Sequence, residues 1–378
     1  MTLSVVADEN IPGVEALLGA GAEVTRVNGR SLQPEQLRTA DALLVRSVTR
    51  VDAALIANTK VRFVGTATAG TDHIDQQALA SLGVRFCSAP GSNANAVVEY
   101  VLAAIAQSEQ FLECLLSGGV AGIVGFGHVG RLLARRFEAL GIRWQAYDPW
   151  LDESDIPAAA GFAEILHSDV ICVHAELTDA QPWPSRHLFD QAALAGLTSS
   201  QLLINASRGP VVDNQALLRR LLEDAAPHVV LDVWEREPQV DPQLLANVAF
   251  GTAHIAGYSL DGKLLATRML LDAMADEFHI ELSGGPGTAA PSLPLVAPIA
   301  PERAAAVREL LAQVYRIEED DTLLRKAVAE APEAIATAFD GLRRSYRVRR
   351  ELTSATLQLL QHDALVATTA RALGITCT

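Results

Sequence analysis

Arg208, Glu237 and His254 are residues of the types that carry acid–base chemistry on a carboxylic acid substrate. A histidine can exchange a proton near neutral pH, and a nearby glutamate would hold its tautomer and favour the protonated ring. An arginine presents a planar fork to a carboxylate and can polarise an adjacent carbonyl. Beside a nicotinamide this set suits oxidation of a 2-hydroxy acid, because His254 can take the hydroxyl proton while hydride leaves the same carbon.

Each of these three residues also has an ordinary structural interpretation. Arg208 could form a surface ion pair, Glu237 could be a turn residue before a proline, and His254 could be a buried histidine with satisfied hydrogen bonds. The residue types alone leave both interpretations open.

Two other kinds of catalytic site are not expected. Three further histidines, His128, His174 and His187, show no metal-ligand spacing, so we expect no metal. Ser207 precedes Arg208 but lacks the G-x-S-x-G pattern of a hydrolase nucleophile.

The stretch from Val120 to Gly130 has the pattern of a dinucleotide site. A short apolar run meets Gly125, Gly127 and Gly130 at the spacing G-x-G-x-x-G, and a helical pattern follows. These glycines would permit a tight turn, close approach to a pyrophosphate and close helix packing, respectively. Asp148 ends the next apolar run, where a carboxylate would bind ribose hydroxyls and repel a 2′-phosphate, so NAD is favoured over NADP.

Polar clusters follow several predicted strands, and ligands of open parallel sheets bind at the carboxyl ends of strands. The strands are predicted at residues 42–45, 62–65, 202–206, 229–231 and 248–250. We expect the polar residues that follow them to meet in one crevice. The loop of residues 66–75 could direct backbone N–H groups at an anion, or it could be a plain strand-to-helix turn.

Composition and charge disfavour other functions. The chain has 378 residues, a net charge of −15, 49% hydrophobic and 20% charged residues. The negative charge argues against nucleic-acid and membrane-surface binding, and no apolar stretch is long enough to span a membrane. Four cysteines without a C-x-x-C pair indicate reduced thiols, so we expect a cytoplasmic protein.

The order of the elements predicts an α/β protein with an inserted nucleotide domain. Strand and helix signals alternate before the glycine motif, through it, and up to a helix near residues 262–280. A Pro- and Gly-rich stretch from Ser283 to Pro301 reads as a linker. Beyond it we predict a small α+β domain, with helices over 302–316, 333–346 and 364–373 and strands over 355–359 and 375–376.

Several segments resemble the D-2-hydroxyacid dehydrogenase family. They are residues 122–130, 205–213 and 231–238, with Thr252-Ala-His254 at the family's histidine position. The resemblance covers residues 1–280 and implies that Arg208 binds and polarises substrate, Glu237 pairs with His254, and His254 is the acid and base. The implied NAD contacts are Gly125, Gly127, His128, Val129, Gly130, Asp148 (adenosine ribose), Ala175, Ala206, Ser207, Asp232 (nicotinamide carboxamide) and Gly257.

A narrower resemblance, to one branch of this family, lies in residues 45–49, 65–73 and 254–263. That branch oxidises 4-phospho-D-erythronate to 2-oxo-3-hydroxy-4-phosphobutanoate in pyridoxal phosphate biosynthesis. The resemblance to this branch implies that Ser47, Thr68 and Tyr258 touch the substrate. Two features depart from the branch: Pro210 replaces a small residue and would stiffen the loop of Arg208, and residues 110–119 form a shorter lead-in.

The same branch implies a domain division and a homodimer. We expect a flavodoxin-like substrate-binding (lid) domain at residues 1–92 and 258–285, and a Rossmann-type NAD domain at 93–257. Residues 286–378 would form a C-terminal dimerisation domain.

The substrate phosphate would need a cationic partner, and the sequence offers two. One is Arg46, which follows a predicted strand beside Ser47. The other is a cluster in the tail: Arg343, Arg344, Arg347, Arg349 and Arg350. That cluster could reach the active site of its own or of a partner subunit, or it could be a solvated helix end or a network of interface ion pairs.

Two alternatives to the expected activity stay open. The chain could be another D-2-hydroxyacid dehydrogenase, such as one for 3-phosphoglycerate, or an NAD-sensing binding protein of the same fold. A complete Arg208, Glu237 and His254 set disfavours the binding protein.

Overall fold

The computed structural model describes residues 2–108, 110–283, 291–300, 302–330, 332–359 and 364–378. The chain divides into two compact units. Unit 1 contains Met1–Asn93 and Ser259–Pro291, and unit 2 contains Ala94–Tyr258 and Ser292–Thr378. Of the linker predicted to begin at Ser283, residues 284–290 and 301 lie outside the described part of the chain.

Residues 3–88 form a parallel sheet with the flavodoxin-like order β2-β1-β3-β4-β5. Its strands are β1 (Leu3–Asp8), β2 (Ala22–Val27), β3 (Ala42–Val45), β4 (Phe63–Thr66) and β5 (Arg85–Ser88). The helices that connect them are α1 (Val14–Leu18), α2 (Ala53–Ile56) and α3 (Gln76–Ser81). Strands β3 and β4 are buried along their whole length, as their continuous apolar sequences predict for a sheet covered on both faces.

The first part of unit 2 is a Rossmann-type domain around a parallel sheet of order β11-β10-β9-β8-β6-β7. The strands are β6 (Val120–Val124), β7 (Arg143–Tyr147), β8 (Val170–Val173), β9 (Leu202–Asn205), β10 (His228–Leu231) and β11 (Phe250–Gly251). The helices are α4 (Ala94–Gln107), α5 (Phe111–Leu116), α6 (His128–Leu140), α7 (Phe162–Ile165), α8 (Gln191–Ala195), α9 (Asn214–Leu221) and α10 (Pro242–Asn247).

This sheet departs from the usual doubly wound order at one edge. The usual third strand would pair with β7, but here only the isolated parallel bridge between Ala146 and Ala159 occupies that place among the described residues. The point at which the strand order reverses lies between β6 and β8, and β6 leads directly into the glycine motif. The predicted inserted α/β fold is confirmed.

The chain then returns to unit 1 through α11 (Leu260–Phe278), which begins with a hydrogen bond from the Gly262 N–H to the Ser259 side chain. Leu270, Leu271 and Met274 on this helix are fully buried and pack into the apolar cluster that includes β1. The helix therefore covers one face of the first sheet. No helix in the described part of the chain is long and apolar enough to cross a membrane.

The tail forms a small α+β element of unit 2. Its helices are α12 (Arg303–Ala312), α13 (Ile317–Glu330), α14 (Ile335–Arg344) and α15 (Ala364–Leu373). Strands β12 (Leu293–Leu295), β13 (Ala355–Leu357) and β14 (Thr376–Cys377) make a parallel sheet in the order β12-β13-β14. Val307, Leu310 and Leu311 of α12 are buried in the same apolar cluster as α4 and α6, so the tail packs onto the Rossmann-type domain.

Two elements of the tail differ from the prediction. Strand β12 lies in the predicted linker, where Pro294 is tolerated because β12 is an edge strand of the tail's sheet. Helix α13 has no predicted counterpart, although its first turn is the acidic run Glu318-Glu319-Asp320. Acidic side chains are favourable in the first turn of a helix. The next residue, Asp321, is buried and accepts a hydrogen bond from Gly251 N–H at 2.7 Å.

A buried acid joins α4 to the tail. Glu99 is 3% exposed, and one of its carboxyl oxygens accepts a hydrogen bond from Leu352 N–H at 2.7 Å. Its other oxygen lies 3.9 Å from the guanidinium of Arg349. Burial raises the pKa of Glu99 to about 8, although Arg349 acts in the opposite direction.

This raised pKa predicts a pH-dependent stability. Between its ordinary pKa of 4.5 and about 8, Glu99 keeps in the folded chain a proton that the unfolded chain releases. The free energy of unfolding should therefore fall as the pH rises through this range. Glu99→Gln should remove that dependence. In urea titrations, the free energy of unfolding of the variant minus that of the wild type should therefore increase from pH 5 to pH 8.

Glu113 provides a matched control, because its hydrogen bond with Arg308 lowers its pKa. It is ionised in both states above pH 5, so Glu113→Gln should leave the slope unchanged there. Equal slopes for the wild type and Glu99→Gln would contradict the expectation.

Candidate active site

His254 and Glu237 form a hydrogen-bonded pair at the carboxyl end of the second sheet. The Nδ1–H of His254 donates to Oε1 of Glu237 at 2.6 Å. This bond fixes the tautomer and leaves Nε2 as the nitrogen that can exchange a proton. Burial raises the pKa of the Glu237 carboxyl, but His254 and Arg343 together lower it by more. The pKa therefore lies below its ordinary value, and the group stays ionised.

The backbone of His254 is held in an unusual conformation by Asp232. Its φ is +53°, a left-handed value that is uncommon for a residue other than glycine. The His254 N–H donates to the Asp232 carbonyl at 2.8 Å. The Asp232 carboxylate, which is 1% exposed, accepts hydrogen bonds from Thr252 Oγ1 and from the N–H groups of Ile255 and Ala256 at 2.6–2.9 Å. These bonds compensate the backbone strain and fix the histidine.

The tail braces the same segment from another direction. Arg349 is 3% exposed and donates to the carbonyl oxygens of Ala256 and Ala96 at 3.1 and 2.7 Å. Its guanidinium also stacks over the ring of Tyr315, 3.9 Å from the centroid. Arg349 therefore supports the histidine segment, a role that no feature of the sequence indicated.

Asn205 organises the turn that carries Arg208. It is fully buried, accepts from the N–H and hydroxyl of Ser207 at 3.2 and 3.0 Å, and donates to the Arg208 carbonyl at 3.1 Å. A Cβ on Gly209 would lie 2.1 Å from the Trp234 carbonyl carbon and oxygen, so glycine is needed for this close approach. The loop of Arg208 is thus packed against the loop that leads to Glu237.

Pro210 fits this loop without losing a hydrogen bond. It lies in a short 3₁₀ turn, Gly209–Val211, where a proline near the beginning is favourable. Its carbonyl oxygen accepts a hydrogen bond from His187 N–H at 2.8 Å. The Pro210 departure noted in the sequence is therefore accommodated locally.

A second histidine–carboxylate pair lies behind this loop. His187 Nε2 is 2.7 Å from Glu235 Oε1, and the side chains of His187, Asp213 and Glu235 offer ligand atoms within 4.8 Å of one another. Sequence spacing did not reveal this grouping, which is of a type that can hold a metal ion. Two of its members have further protein partners: Asp213 accepts from Ala216 N–H at 2.9 Å, and Glu235 accepts from Asn214 N–H at 3.1 Å. The group links the loops on which Arg208 and Glu237 lie.

The glycine motif is shaped as a dinucleotide site requires. Gly125 has a φ of +94°, and a Cβ there would lie 2.5 Å from the backbone N of Ala175. A Cβ on Gly130 would lie 2.1 Å from the Gly125 carbonyl oxygen. At Gly127, by contrast, no described atom lies within 4 Å of that position, so a ligand can approach the backbone. His128 and Val129 follow as the first residues of α6, whose N-terminal N–H groups favour an anion.

A cavity of about 590 Å³ opens beside this motif. Its wall includes Gly125, Gly127, Asp148, His174 and Ala175. Asp148 accepts from the N–H groups of Phe126 and Trp150 at 2.8 and 3.1 Å, and its carboxylate retains lone pairs for hydroxyl groups. Burial lowers the pKa of His174 to about 3, so this ring adds no charge. The motif, the carboxylate and the cavity fit NAD.

The remaining predicted cofactor residues lie at other strand ends of unit 2. Ala206 and Ser207 follow β9, Asp232 follows β10, and Gly257 follows the segment of His254. Tyr258 comes next, with its ring packed edge-on against Tyr346 of the tail at 5.7 Å between centroids.

The predicted substrate residues of unit 1 follow β3 and β4. Ser47 is exposed, and the guanidinium of Arg46 lies 3.8 Å from the buried carboxylate of Asp8. Thr68 donates its hydroxyl hydrogen to the Gly70 carbonyl at 2.8 Å. It must therefore accept from its other hydroxyl neighbour, Thr66, which lies 2.8 Å away. This chain of hydrogen bonds orients the Thr68 side chain.

His73 completes this chain, although the sequence did not single it out. Its Nε2 lies 2.9 Å from Thr66 Oγ1. Because the Thr66 hydrogen is already donated to Thr68, Nε2 carries the hydrogen in this bond. Burial lowers the pKa of His73, which keeps the ring neutral.

Two protein-family models match the chain. One is described as the NAD binding domain of D-isomer specific 2-hydroxyacid dehydrogenases and matches residues 95–256. The other is described as a domain of unknown function and matches residues 291–374.

Curated relatives match nearly the whole chain. The erythronate-4-phosphate dehydrogenase of Marinobacter nauticus is 44% identical over 379 residues, covering 98% of each chain. That of Edwardsiella ictaluri is 43% identical, also covering 98% of each. An NAD⁺-bound 3-phosphoglycerate dehydrogenase structure from Entamoeba histolytica has a TM-score of 0.63 and 22% identity, and it covers 74% of this chain and 96% of its own. This last likeness shows the fold alone.

Gly209→Ala should displace the Arg208 loop, because the added methyl group would meet the Trp234 backbone. We expect a loss of about 1–3 kcal/mol in the free energy of unfolding. Any turnover should fall as well, since Arg208 is carried by the same loop. Urea unfolding and steady-state kinetics measure the two effects.

Gly196→Ala is the matched control. Its φ is −80°, and the nearest heavy atom to an added Cβ is 3.9 Å away. It should change stability by no more than about 0.5 kcal/mol. Equal behaviour of the two variants would contradict the close approach at Gly209.

Proposed function

Since this chain belongs to the erythronate-4-phosphate dehydrogenase family, we propose that it oxidises 4-phospho-D-erythronate to 2-oxo-3-hydroxy-4-phosphobutanoate. The chain is an NAD-dependent dehydrogenase with the NAD-binding domain of D-isomer specific 2-hydroxyacid dehydrogenases. We also propose that its product serves pyridoxal phosphate biosynthesis. The observation that carries the proposed reaction is the 2.6 Å hydrogen bond between His254 and Glu237.

In this proposal His254 is the general base for oxidation. Its Nε2 accepts the proton of the C2 hydroxyl, and the ionised Glu237 stabilises the imidazolium that forms. The C2–H bond breaks with both of its electrons as the C2–O double bond forms. The acceptor for that hydride would be supplied by bound NAD. In the reverse direction protonated His254 returns its proton to the carbonyl oxygen.

We assign substrate binding to five side chains. Arg208 would bind the C1 carboxylate with its planar fork and polarise the C2 oxygen. Ser47, Thr68 and Tyr258 would contact the substrate through hydroxyl groups, and Arg46 through its charge. The hydrogen bonds that orient Thr68 support its role, because a fixed hydroxyl group loses less entropy on binding.

Cofactor binding is assigned to residues at the strand ends of unit 2. Gly125, Gly127, His128, Val129 and Gly130 would bind the pyrophosphate, and Asp148 the adenosine ribose. Ala175, Ala206, Ser207, Asp232 and Gly257 would complete the contacts. The carboxylate of Asp148 also supports the choice of NAD over NADP, because it would repel a 2′-phosphate.

We further propose a homodimer formed through the C-terminal residues 286–378. Three apolar side chains of this region, Val296, Ile299 and Val348, are 75%, 98% and 76% exposed. A partner subunit that covers these side chains would bury their apolar surface, which favours association. Light scattering should give twice the chain mass if the proposal holds.

A substrate panel tests the proposed reaction. Purified protein is mixed with NAD and 4-phospho-D-erythronate, 3-phosphoglycerate or plain 2-hydroxy acids, and NADH is followed by absorbance. The highest kcat/KM should belong to 4-phospho-D-erythronate. A preference for 3-phosphoglycerate would favour another dehydrogenase of the family, and NAD binding without any NADH would favour an NAD-sensing protein.

Glu237→Gln tests the paired carboxylate. The amide cannot stabilise the imidazolium of His254, so kcat should fall by about 100-fold or more. Because the carboxylate favours the protonated ring, its loss should also move the acid limb of the pH–rate profile to lower pH.

Glu235→Gln is the control for this change, because Glu235 has a histidine partner of its own at 2.7 Å. It should leave the position of the acid limb unchanged. If both variants shift the limb equally, the pairing of Glu237 with His254 has no special role in proton transfer.

A further inference from the structure

The structure separates the tail arginines that the sequence grouped together. Arg347 forms ion pairs with Asp320 and Glu319. Arg350 donates to the Ser354 hydroxyl at 3.0 Å. Together with buried Arg349, these two arginines therefore have structural partners within the tail or its supporting helices.

Arg343 differs from its neighbours because α14 directs it inward. Ile335 and Phe339 of this helix are 3% and 1% exposed, and Arg343 follows Phe339 by four residues, on the same helical face. The next residue, Arg344, lies outside that face and is exposed. Helical spacing therefore explains why one arginine of this pair reaches inward.

Arg343 reaches the catalytic segment of its own chain. Its Cζ lies 5.8 Å from the centroid of the Tyr258 ring. Burial lowers the pKa of the guanidinium, but Tyr258 and Glu237 together raise it by more. The guanidinium therefore stays charged. Its Nε is buried and has no hydrogen-bond partner among the described residues. The sequence had left open whether such an arginine comes from a partner subunit, and here the same chain supplies it.

The charges around Glu237 indicate that an anion is expected nearby. Arg343 lowers the pKa of Glu237 because its charge stabilises the ionised carboxylate. Arg343 and protonated His254 therefore compete for the same carboxylate. This competition would weaken the stabilisation of the imidazolium unless another anion balances Arg343. A phosphate carries about −1.5 to −2 charge at neutral pH and matches the fork of a guanidinium. Arg46 is a weaker candidate, because its charge already faces Asp8 at 3.8 Å.

We propose that Arg343 binds the phosphate group of the substrate, so that the tail selects phosphorylated 2-hydroxy acids for the catalytic residues of its own chain. The proposal gives a binding role to a region matched by a family of unknown function. It rests on the proposed function, because it takes the substrate to be a phosphorylated 2-hydroxy acid. Arg208 and His254 act on the carboxylate and the C2 hydroxyl, so the phosphate needs a cation of its own.

Arg343→Gln tests this role through the specificity ratio. The ratio is kcat/KM for 4-phospho-D-erythronate divided by kcat/KM for D-erythronate. It should fall by about 10- to 100-fold, because a charge-assisted hydrogen bond to phosphate is lost. Arg343→Lys should keep part of the ratio, since it keeps the charge but loses the fork. Arg344→Gln, one residue along and exposed, should leave the ratio unchanged.

Two outcomes of this experiment would overturn the inference. Equal losses on both substrates would mean that Arg343 acts only by positioning Glu237 or Tyr258. Unchanged kcat/KM values for both substrates would mean that Arg343 does not contact the phosphate. Circular dichroism and NAD affinity check that each variant is folded.

A binding measurement separates this inference from the proposed function. Inorganic phosphate is titrated into the NAD-loaded protein by calorimetry. Arg343→Gln should weaken its binding by at least tenfold, and Arg344→Gln should not. If the wild type oxidises a different 2-hydroxy acid, the proposed substrate is wrong, yet phosphate binding still tests Arg343. Phosphate binding that is absent from the wild type, or unaffected by Arg343→Gln, overturns the inference.

Discussion

The buried carboxylate of Asp232 is the constraint on which the geometry of the candidate active site depends. His254 has a left-handed backbone, which an isolated chain would rarely adopt, and three hydrogen bonds to one carboxylate hold the segment around it. Burial raises the pKa of Asp232, while His254 and these hydrogen bonds lower it. One acid beneath the loop thus orients the histidine, and a second acid, Glu237, fixes its tautomer.

The active site is also built from residues that are distant in sequence. Arg349 holds the Ala256 carbonyl, and Arg343 reaches Tyr258, so two residues of the tail act on the segment that follows β11. Asn205 and Gly209 give the Arg208 loop its shape from within. The tail therefore supports the candidate active site, and it is also the region in which we propose dimer contacts.

Local patterns predicted the fold well. The glycine motif, the apolar strands and the strand-end polar clusters predicted both α/β sheets, and β3 and α15 have the predicted bounds. Helix α13 was not predicted, although its acidic first turn is a favourable start for a helix and its buried apolar residues have helical spacing. The separate roles of Arg343 and Arg349 could not be predicted either, since they depend on tertiary packing between segments more than 80 residues apart in the chain.

The brace between Arg349 and Ala256 makes the order of synthesis important. A ribosome releases Arg208, Glu237 and His254 well before it adds Arg349. Until then the carbonyl of Ala256 lacks this donor, and the apolar side chains of α4 and α6 that meet α12 stay uncovered. A nascent or truncated chain would therefore hold His254 loosely and expose apolar surface, which is the type of species that chaperones bind. Completion of the C-terminus is in this sense the last step in assembling the active site.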